Sequence, residues 1–459
     1  MDRLSPLDVS FLYLEGETTP MHVGGVCILE QPPEGFDYDR LVQIISERIA
    51  TVPRFRQKVR WVPGRLGNPV WVDDSEFDVT YHVRRSALPK PGTEEQLKEL
   101  TARVQSRPLD RSRPLWEIYL VEGLADGRIA IVTKTHHAMV DGVAAVDVGA
   151  VILDLTREPR ETPHVEWTPQ REPSSVALVA DAVRNAVTKP AEIVTTARAN
   201  LNDVRRVATR AAGVAGGLAA TLRSTARSAP ESPLNVDIGA QRRFGMARTD
   251  LDDYKRVRKE HGGTVNDVVL ATVAGALRTW LLTRGESVNG RTVRAMVPVS
   301  VRAEGQQLGN RVSSYFVDLP VGEPSPVVRL HQVSYAMSAH KDSGQSVGAE
   351  ALVAISGFVA PTLHALGARV AAGLSRRLFN VVVTNVPGPQ IPLYAAGAEM
   401  LEVFPVVPLA RGQAVSIGLT SYNGGVYYGL NADRDAMPDV DVLAQCIEES
   451  LAELVETAR

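Results

Sequence analysis

Apolar and polar positions alternate over residues 129–135, with Ile129, Ile131, Thr133 and Thr135 on one face and Ala130, Val132 and Lys134 on the other. A period of two predicts a strand. The run leads into His136-His137-Ala138-Met139-Val140-Asp141-Gly142, after which Val143, Val146, Ala150, Val151 and Asp154 recur at helical spacing. The histidines are therefore expected where a strand meets a loop, with Asp141 at the mouth of a helix. If strand geometry continues through His137, neighbouring side chains point to opposite faces, one into packing and one into an opening. That pattern offers a single base rather than a pair.

The same periodicities recur along the chain. They predict a short capped helix over residues 4–14, a strand over 20–29, helices over 39–52 and 94–106, and a strand over 114–121. An Asp126-Gly127 turn joins that last strand to the histidine strand. Downstream, Asn266-Asp267 precedes a buried helix over 268–277. Strands are expected over 294–302, 313–321 and 381–385, then a hairpin over 415–422 and 426–430, then a closing helix over 440–457. Strands and helices are interspersed in both halves, which argues an α/β or α+β fold.

The middle of the chain differs. Pro159, Pro163, Pro169 and Pro173 mark a loop, followed by an Ala-, Val- and Arg-rich stretch carrying Arg198, Arg205, Arg206, Arg210, Arg223 and Arg227. It reads either as inter-domain helices with solvated faces or as a basic amphipathic surface for anionic lipid. The expected organisation is a mixed unit over 1–165, a basic helical linker over 166–235 and a second mixed unit over 236–459.

Composition narrows the chemistry further. A formal charge of −3 gives no support for nucleic-acid binding. Cys27 and Cys446, the two cysteines, are too few for a disulfide framework or a zinc site and suit a reducing cytoplasm. The N-terminus has acids where a signal peptide has basic residues, and the most apolar stretch, 351–368, reads as a helical hairpin rather than a span. Gly-x-Ser-x-Gly, a phosphate loop, Gly-x-Gly-x-x-Gly and His-Glu-x-x-His are all absent from the sequence. Serine hydrolases, nucleotide kinases, nicotinamide enzymes and zinc proteases thus lose their usual signatures.

A His-His-x-x-x-Asp-Gly string at a strand-to-helix junction resembles the signature of the CoA-dependent acyltransferases. That superfamily includes chloramphenicol acetyltransferases, peptide-synthetase condensation domains and wax ester synthase/diacylglycerol acyltransferases. Leu4-Ser5-Pro6-Leu7-Asp8, Pro20-Met21-His22-Val23-Gly24 and Pro114-Leu115-Trp116 resemble the N-terminal half of the last branch. Pro233-Leu234-Asn235, Asn266-Asp267, Gly309-Asn310-Arg311-Val312-Ser313 and Thr384-Asn385-Val386-Pro387-Gly388-Pro389 resemble its C-terminal half. These pieces occur in family order across nearly the whole chain and most resemble the actinobacterial triacylglycerol synthases. The resemblance implies an α/β fold of two chloramphenicol-acetyltransferase-like domains enclosing a tunnel. It also implies acyl-CoA as donor, diacylglycerol or a fatty alcohol as acceptor, and no cofactor.

By the family pattern His137 is the general base, and the residue type suits the task. Ester formation from a thioester and an alcohol requires proton removal as the oxygen attacks, and imidazole, with an ordinary pKa about 6.5, is matched to that near pH 7. The thiolate leaves readily, so neither a metal nor an enzyme nucleophile is needed. His136 is expected to be structural. Asp141 is expected to cap a helix or to hold the loop through an arginine, with Arg302 as the candidate partner, and Gly142 to allow close backbone approach. Asn266 and Asp267 either start a helix or stand beside the tunnel, Asn266 as a possible oxyanion donor. Pro114, Leu115 and Trp116 are expected to shape the acyl tunnel by packing. His22 is a rival base in a context that suggests a buried strand. A metal site from His136, His137 and Asp141 is disfavoured because adjacent strand residues diverge. Two other classes compete: a non-catalytic lipid-surface protein, and a condensation enzyme acting on a carrier-bound thioester. Both acyl transfer substrates are membrane-soluble, so a cytoplasmic protein bound peripherally to membrane or lipid droplets is expected, through the 181–227 and 351–374 regions.

Overall fold

The computed structural model describes residues 2–139, 148–162, 167–188, 229–301, 311–342, 347–348 and 378–458. Helix α1 (Pro6–Leu14) begins at a capping box in which Ser5 and Asp8 satisfy each other's backbone N–H groups. It leads into β1 (His22–Leu29), α2 (Tyr38–Ile49), β2 (Gln57–Arg60), β3 (Val70–Asp73), α3 (Val79–His82) and β4 (Val83–Ala87). Next come α4 (Glu94–Ser106), capped by Thr93, then β5 (Trp116–Glu122) and the histidine strand β6 (Ile129–His136). After the motif stand α5 (Val148–Ile152), β7 (Leu153–Asp154) and α6 (Ser175–Thr188).

The second half opens with β8 (Arg242–Asp250), α7 (Leu251–His261) and α8 (Val265–Thr283). It continues through β9 (Val293–Val301), β10 (Arg311–Leu319), α9 (Pro326–Asp342), β11 (Val347–Gly348) and β12 (Val381–Pro387). Strands β13 (Tyr394–Ala395), β14 (Ala398–Val406), β15 (Val415–Tyr422) and β16 (Gly425–Asp433) precede α10 (Val440–Glu456). Helix α8 starts earlier than the apolar pattern indicates, because Thr264 and Asp267 form a capping box around Val265 and Asn266.

Among the described residues these strands form two seven-stranded sheets and a β2–β3 pair. The first sheet runs β4-β5-β6-β1-β14-β13-β7 and the second β11-β10-β9-β12-β15-β16-β8. Strands β13 and β14 come from the second half of the chain yet complete the first sheet, β14 lying antiparallel to β1. The sheets are therefore not separated along the sequence. In the second, α8 lies buried against α7, α9 and α10, with Val269, Leu270, Val273, Leu277 and Trp280 among its core side chains. It is the one described helix long and apolar enough to cross a membrane, and most of it is buried in the protein.

Asp141 and Gly142 lie outside the described residues, as do Arg302, Gly309-Asn310, the arginines of 198–227 and the apolar 351–374 stretch.

Candidate active site

Strand β6 pairs with β1 so that His136 stands opposite His22, and with β5 so that Thr135 stands opposite Trp116. Continued alternation would carry the strand through His137, but β6 ends at His136. His137 opens a 3₁₀ turn, His137–Met139. Its backbone N–H donates to the Met21 carbonyl at 2.8 Å, while the His136 N–H donates to the Leu115 carbonyl at 2.9 Å. The adjacent histidines thus diverge because the chain leaves the sheet between them.

Their surroundings differ sharply. The His136 side chain is 1% exposed, and its Nδ1 accepts the Ala138 N–H at 3.0 Å, which places the proton of the neutral ring on Nε2. That nitrogen faces Glu15 Oε2 at 3.6 Å, and His22 Nε2 faces Glu15 Oε1 at 3.3 Å. Burial, the largest influence, pushes the His136 pKa down, with Glu15 pulling the other way. The same balance takes His22 to about 4. Both rings are therefore neutral near pH 7. Burial opposes ionisation of Glu15 as well, but the two imidazoles beside it and the Arg111 charge hold its carboxyl well below the usual range.

His137 is half-buried, and its ring stacks on Phe11 with centroids 3.9 Å apart and planes inclined by 18°. Of the two motif histidines it is the accessible one. A stacked aromatic face and a fixed backbone N–H restrict its ring, the requirement for a base that must meet a hydroxyl in one orientation.

Near it, Lys134 is buried on the strand face that His136 shares. Its ammonium donates to the Val104 carbonyl at 3.0 Å and to the Arg107 carbonyl, which caps the end of α4. Burial lowers its pKa to about 8, while Glu117 at 3.8 Å opposes the shift.

Pro114, Leu115 and Trp116 pack beside this strand. Trp116 is 1% exposed, donates Nε1–H to the Phe55 carbonyl at 2.8 Å and stacks on His82 at 4.6 Å. Asn266 is half-buried in the first turn of α8, and its Oδ1 accepts from Asn385 Nδ2 at 3.2 Å, which joins two of the family-like fragments in space. Asp267 is buried. Its carboxylate accepts the Thr264 N–H at 2.8 Å and the Ser334 hydroxyl at 3.3 Å, so it is engaged in holding the helix start. No group of three metal-binding side chains occurs among the described residues.

Local sequence singles out none of Phe11, Glu15 and Arg111. The available signal was Glu15 standing alone after Phe11-Leu12-Tyr13-Leu14, but only the fold brings it under residues 22 and 136.

Comparison with known proteins gives the family. The wax ester synthase/diacylglycerol acyltransferase catalytic domain matches residues 4–269, and the corresponding C-terminal domain matches residues 308–455. A probable diacylglycerol O-acyltransferase of Mycobacterium tuberculosis is 35% identical over 463 aligned positions, covering 100% of this chain and 97% of the relative. A second from that organism is 45% identical over 56% of this chain and 96% of the relative. The solved wax ester synthase/diacylglycerol acyltransferase of Marinobacter aquaeolei VT8 superposes with a TM-score of 0.70 at 30% identity over 100% of both chains. A condensation domain of the calcium-dependent antibiotic synthetase shares the fold, with a TM-score of 0.57 at 15% identity over 99% of this chain and 95% of that one. With both halves matched in order and the similarity running end to end, the chain belongs to the wax ester synthase/diacylglycerol acyltransferase family.

Proposed function

We propose that the protein transfers a long acyl chain from acyl-CoA to the free hydroxyl of diacylglycerol, forming triacylglycerol and releasing CoA. The observation that carries the catalytic assignment is the contrast within the motif: His136 is sealed beside Glu15, whereas His137 is half-buried and oriented by Phe11 and Met21. The acceptor oxygen attacks the thioester carbonyl carbon while its proton passes to the His137 imidazole. The tetrahedral intermediate collapses with cleavage of the C–S bond, and the thiolate recovers the proton from the imidazolium. A thiol is the weaker acid by about 2 pKa units, so that return is downhill. General-base assistance supplies about 10² to 10⁴ of the rate, and positioning and oxyanion stabilisation supply the rest. The amide of Asn266, held by Asn385, is a candidate oxyanion donor. These steps balance in atoms and protons without a further cofactor.

A long-chain alcohol is the second acceptor to weigh, because the Marinobacter relative carries both activities in its name. Radiolabelled acyl-CoA offered separately with diacylglycerol and with a fatty alcohol distinguishes them. Diacylglycerol should give the larger kcat/KM, and failure with both acceptors would end the acyltransferase reading. A non-catalytic lipid-surface protein would release no CoA thiol on addition of acceptor.

Because donor chain and acceptor both partition into lipid, we further propose peripheral association with membrane or lipid droplets from the cytoplasmic side. The support is the run of arginines at 198–227, which suits an anionic surface. Flotation with anionic vesicles should weaken when Arg205, Arg206 and Arg210 are neutralised together, and equal flotation would remove this stretch from the account.

A further inference from the structure

The carboxylate of Glu15 is 9% exposed and meets several parts of the motif's support at once. Oε1 lies 3.3 Å from the Met21 N–H nitrogen and 3.3 Å from His22 Nε2. Oε2 lies 3.6 Å from His136 Nε2 and accepts from Arg111 Nε at 2.9 Å. Two of these partners lead directly to the proposed base. Met21, whose N–H Glu15 accepts, offers its carbonyl to the His137 N–H at 2.8 Å. His136, whose ring faces Glu15, is joined to His137 by a peptide bond. A third connection runs through α1. The Glu15 N–H donates to the Phe11 carbonyl at 3.1 Å, closing the helix that presents the Phe11 ring to His137.

We propose that Glu15 is the positioning residue of this active site, fixing the His136 ring, the Met21 peptide and the end of α1, and through them the orientation of His137. The inference rests on His137 being the base. Glu15 itself stands behind His136 and takes no proton in the reaction. An ion pair made only for stability would not require this arrangement. Arg111 is 42% exposed and could meet a surface carboxylate, whereas Glu15 turns inward to two buried imidazoles and a backbone N–H. An acceptor with two oxygens and a full charge serves the Met21 N–H, the Arg111 guanidinium and the His136 Nε2–H at once, while His22 Nε2, which accepts the Leu109 N–H at 3.4 Å, lies against it. The isosteric amide has one acceptor oxygen and turns two N–H groups toward donors.

The test uses the full chain with Glu15→Gln, Glu15→Ala and, in parallel, His137→Ala, assayed with acyl-CoA and diacylglycerol. Folding is checked by circular dichroism and thermal midpoint. Glu15→Gln should lower kcat by roughly 10- to 100-fold with KM for acyl-CoA changed by less than about twofold, the split expected when only reactive geometry is lost. Glu15→Ala should lose more activity than Glu15→Gln, and if it does not fold, the glutamine variant carries the test. A kcat for Glu15→Gln within about threefold of wild type, or a loss confined to KM, would overturn the role. Activity retained by His137→Ala would instead remove the base itself, whatever the Glu15 variants do. An inactive His137→Ala beside a wild-type-like Glu15→Gln removes only the positioning role.

Discussion

Both sheets bury charged groups, Arg329, Asp267 and Asp433 among those of the second half, but only the first gathers them around the motif. Behind the first lie Lys134, His22, His136, Glu117 and the Arg48–Asp154 pair, charged or titratable groups at 1–6% exposure. Around the second, α8 and its neighbours form a continuous apolar cluster through Val269, Leu277, Trp280, Ile417, Leu419 and, on α10, Ile447. Burying a charge costs free energy unless each polar atom finds a partner. The first sheet meets that cost with backbone carbonyls and paired carboxylates around the motif. The apolar cluster of the second makes no such demand and supplies a scaffold. The motif's titratable groups thus gather on one sheet, and the longest apolar helix supports the other.

Removing His137 tests the chemical part most severely. His137→Ala should lower kcat by about 10²- to 10⁴-fold while the thermal midpoint stays within a few degrees, since the ring is half-buried and lies at the edge of the packing. Activity above a small fraction of wild type would place the base elsewhere. Next in size is Asp154→Ala. Its carboxylate meets Arg48 in two hydrogen bonds of 2.8 and 2.7 Å, while Arg48 also donates to the Val151 and Ile152 carbonyls. Stranding that buried guanidinium should cost ~3–5 kcal/mol in chemical denaturation.

Leu277→Ala, in the apolar cluster, should cost ~2–5 kcal/mol with kcat per folded molecule preserved. If it reduced kcat as much as stability, the division between scaffold and chemistry would fail. The buried histidines make a smaller, pH-dependent contribution. His22 titrates near 4 in the native protein and His136 below its ordinary value, so between about pH 6.5 and 4 the unfolded chain binds protons that the native one does not. Stability therefore holds above about pH 6.5 and falls with acid at up to about 1.4 kcal/mol per pH unit for each proton taken up. Denaturation midpoints that stay constant down to about pH 4.5 would contradict this. The smallest effect belongs to Arg248, which bridges Glu402 on β14 at 2.8 Å and Glu94 on α4 at 2.6 Å. It is one-third exposed, so Arg248→Ala should cost about 1 kcal/mol or less.

Much of this was legible in the residues. The bounds of α4 match the expected 94–106 helix, and β15, β16 and α10 fall where periodicity and the Asn423-Gly424 turn put them. The histidines stand at the end of a strand, as alternation indicated. The cross-connection of β14 to β1 was not legible, because any strand with a suitable edge can pair there and nothing local names the partner. Asp267 does help to start α8, as its acid at the helix mouth suggested, but its reciprocal partner Thr264 was not legible.

Residues close together in the chain were enough to set the periodic elements and the motif, and with them the resemblance to a family. Which histidine is accessible, and what holds the other, depended on segments brought in from far along the chain. Residues 136 and 137 are chemically identical side chains. Burial, hydrogen bonds and neighbouring charges separate them, and those come from α1 and β1, more than a hundred residues away in sequence.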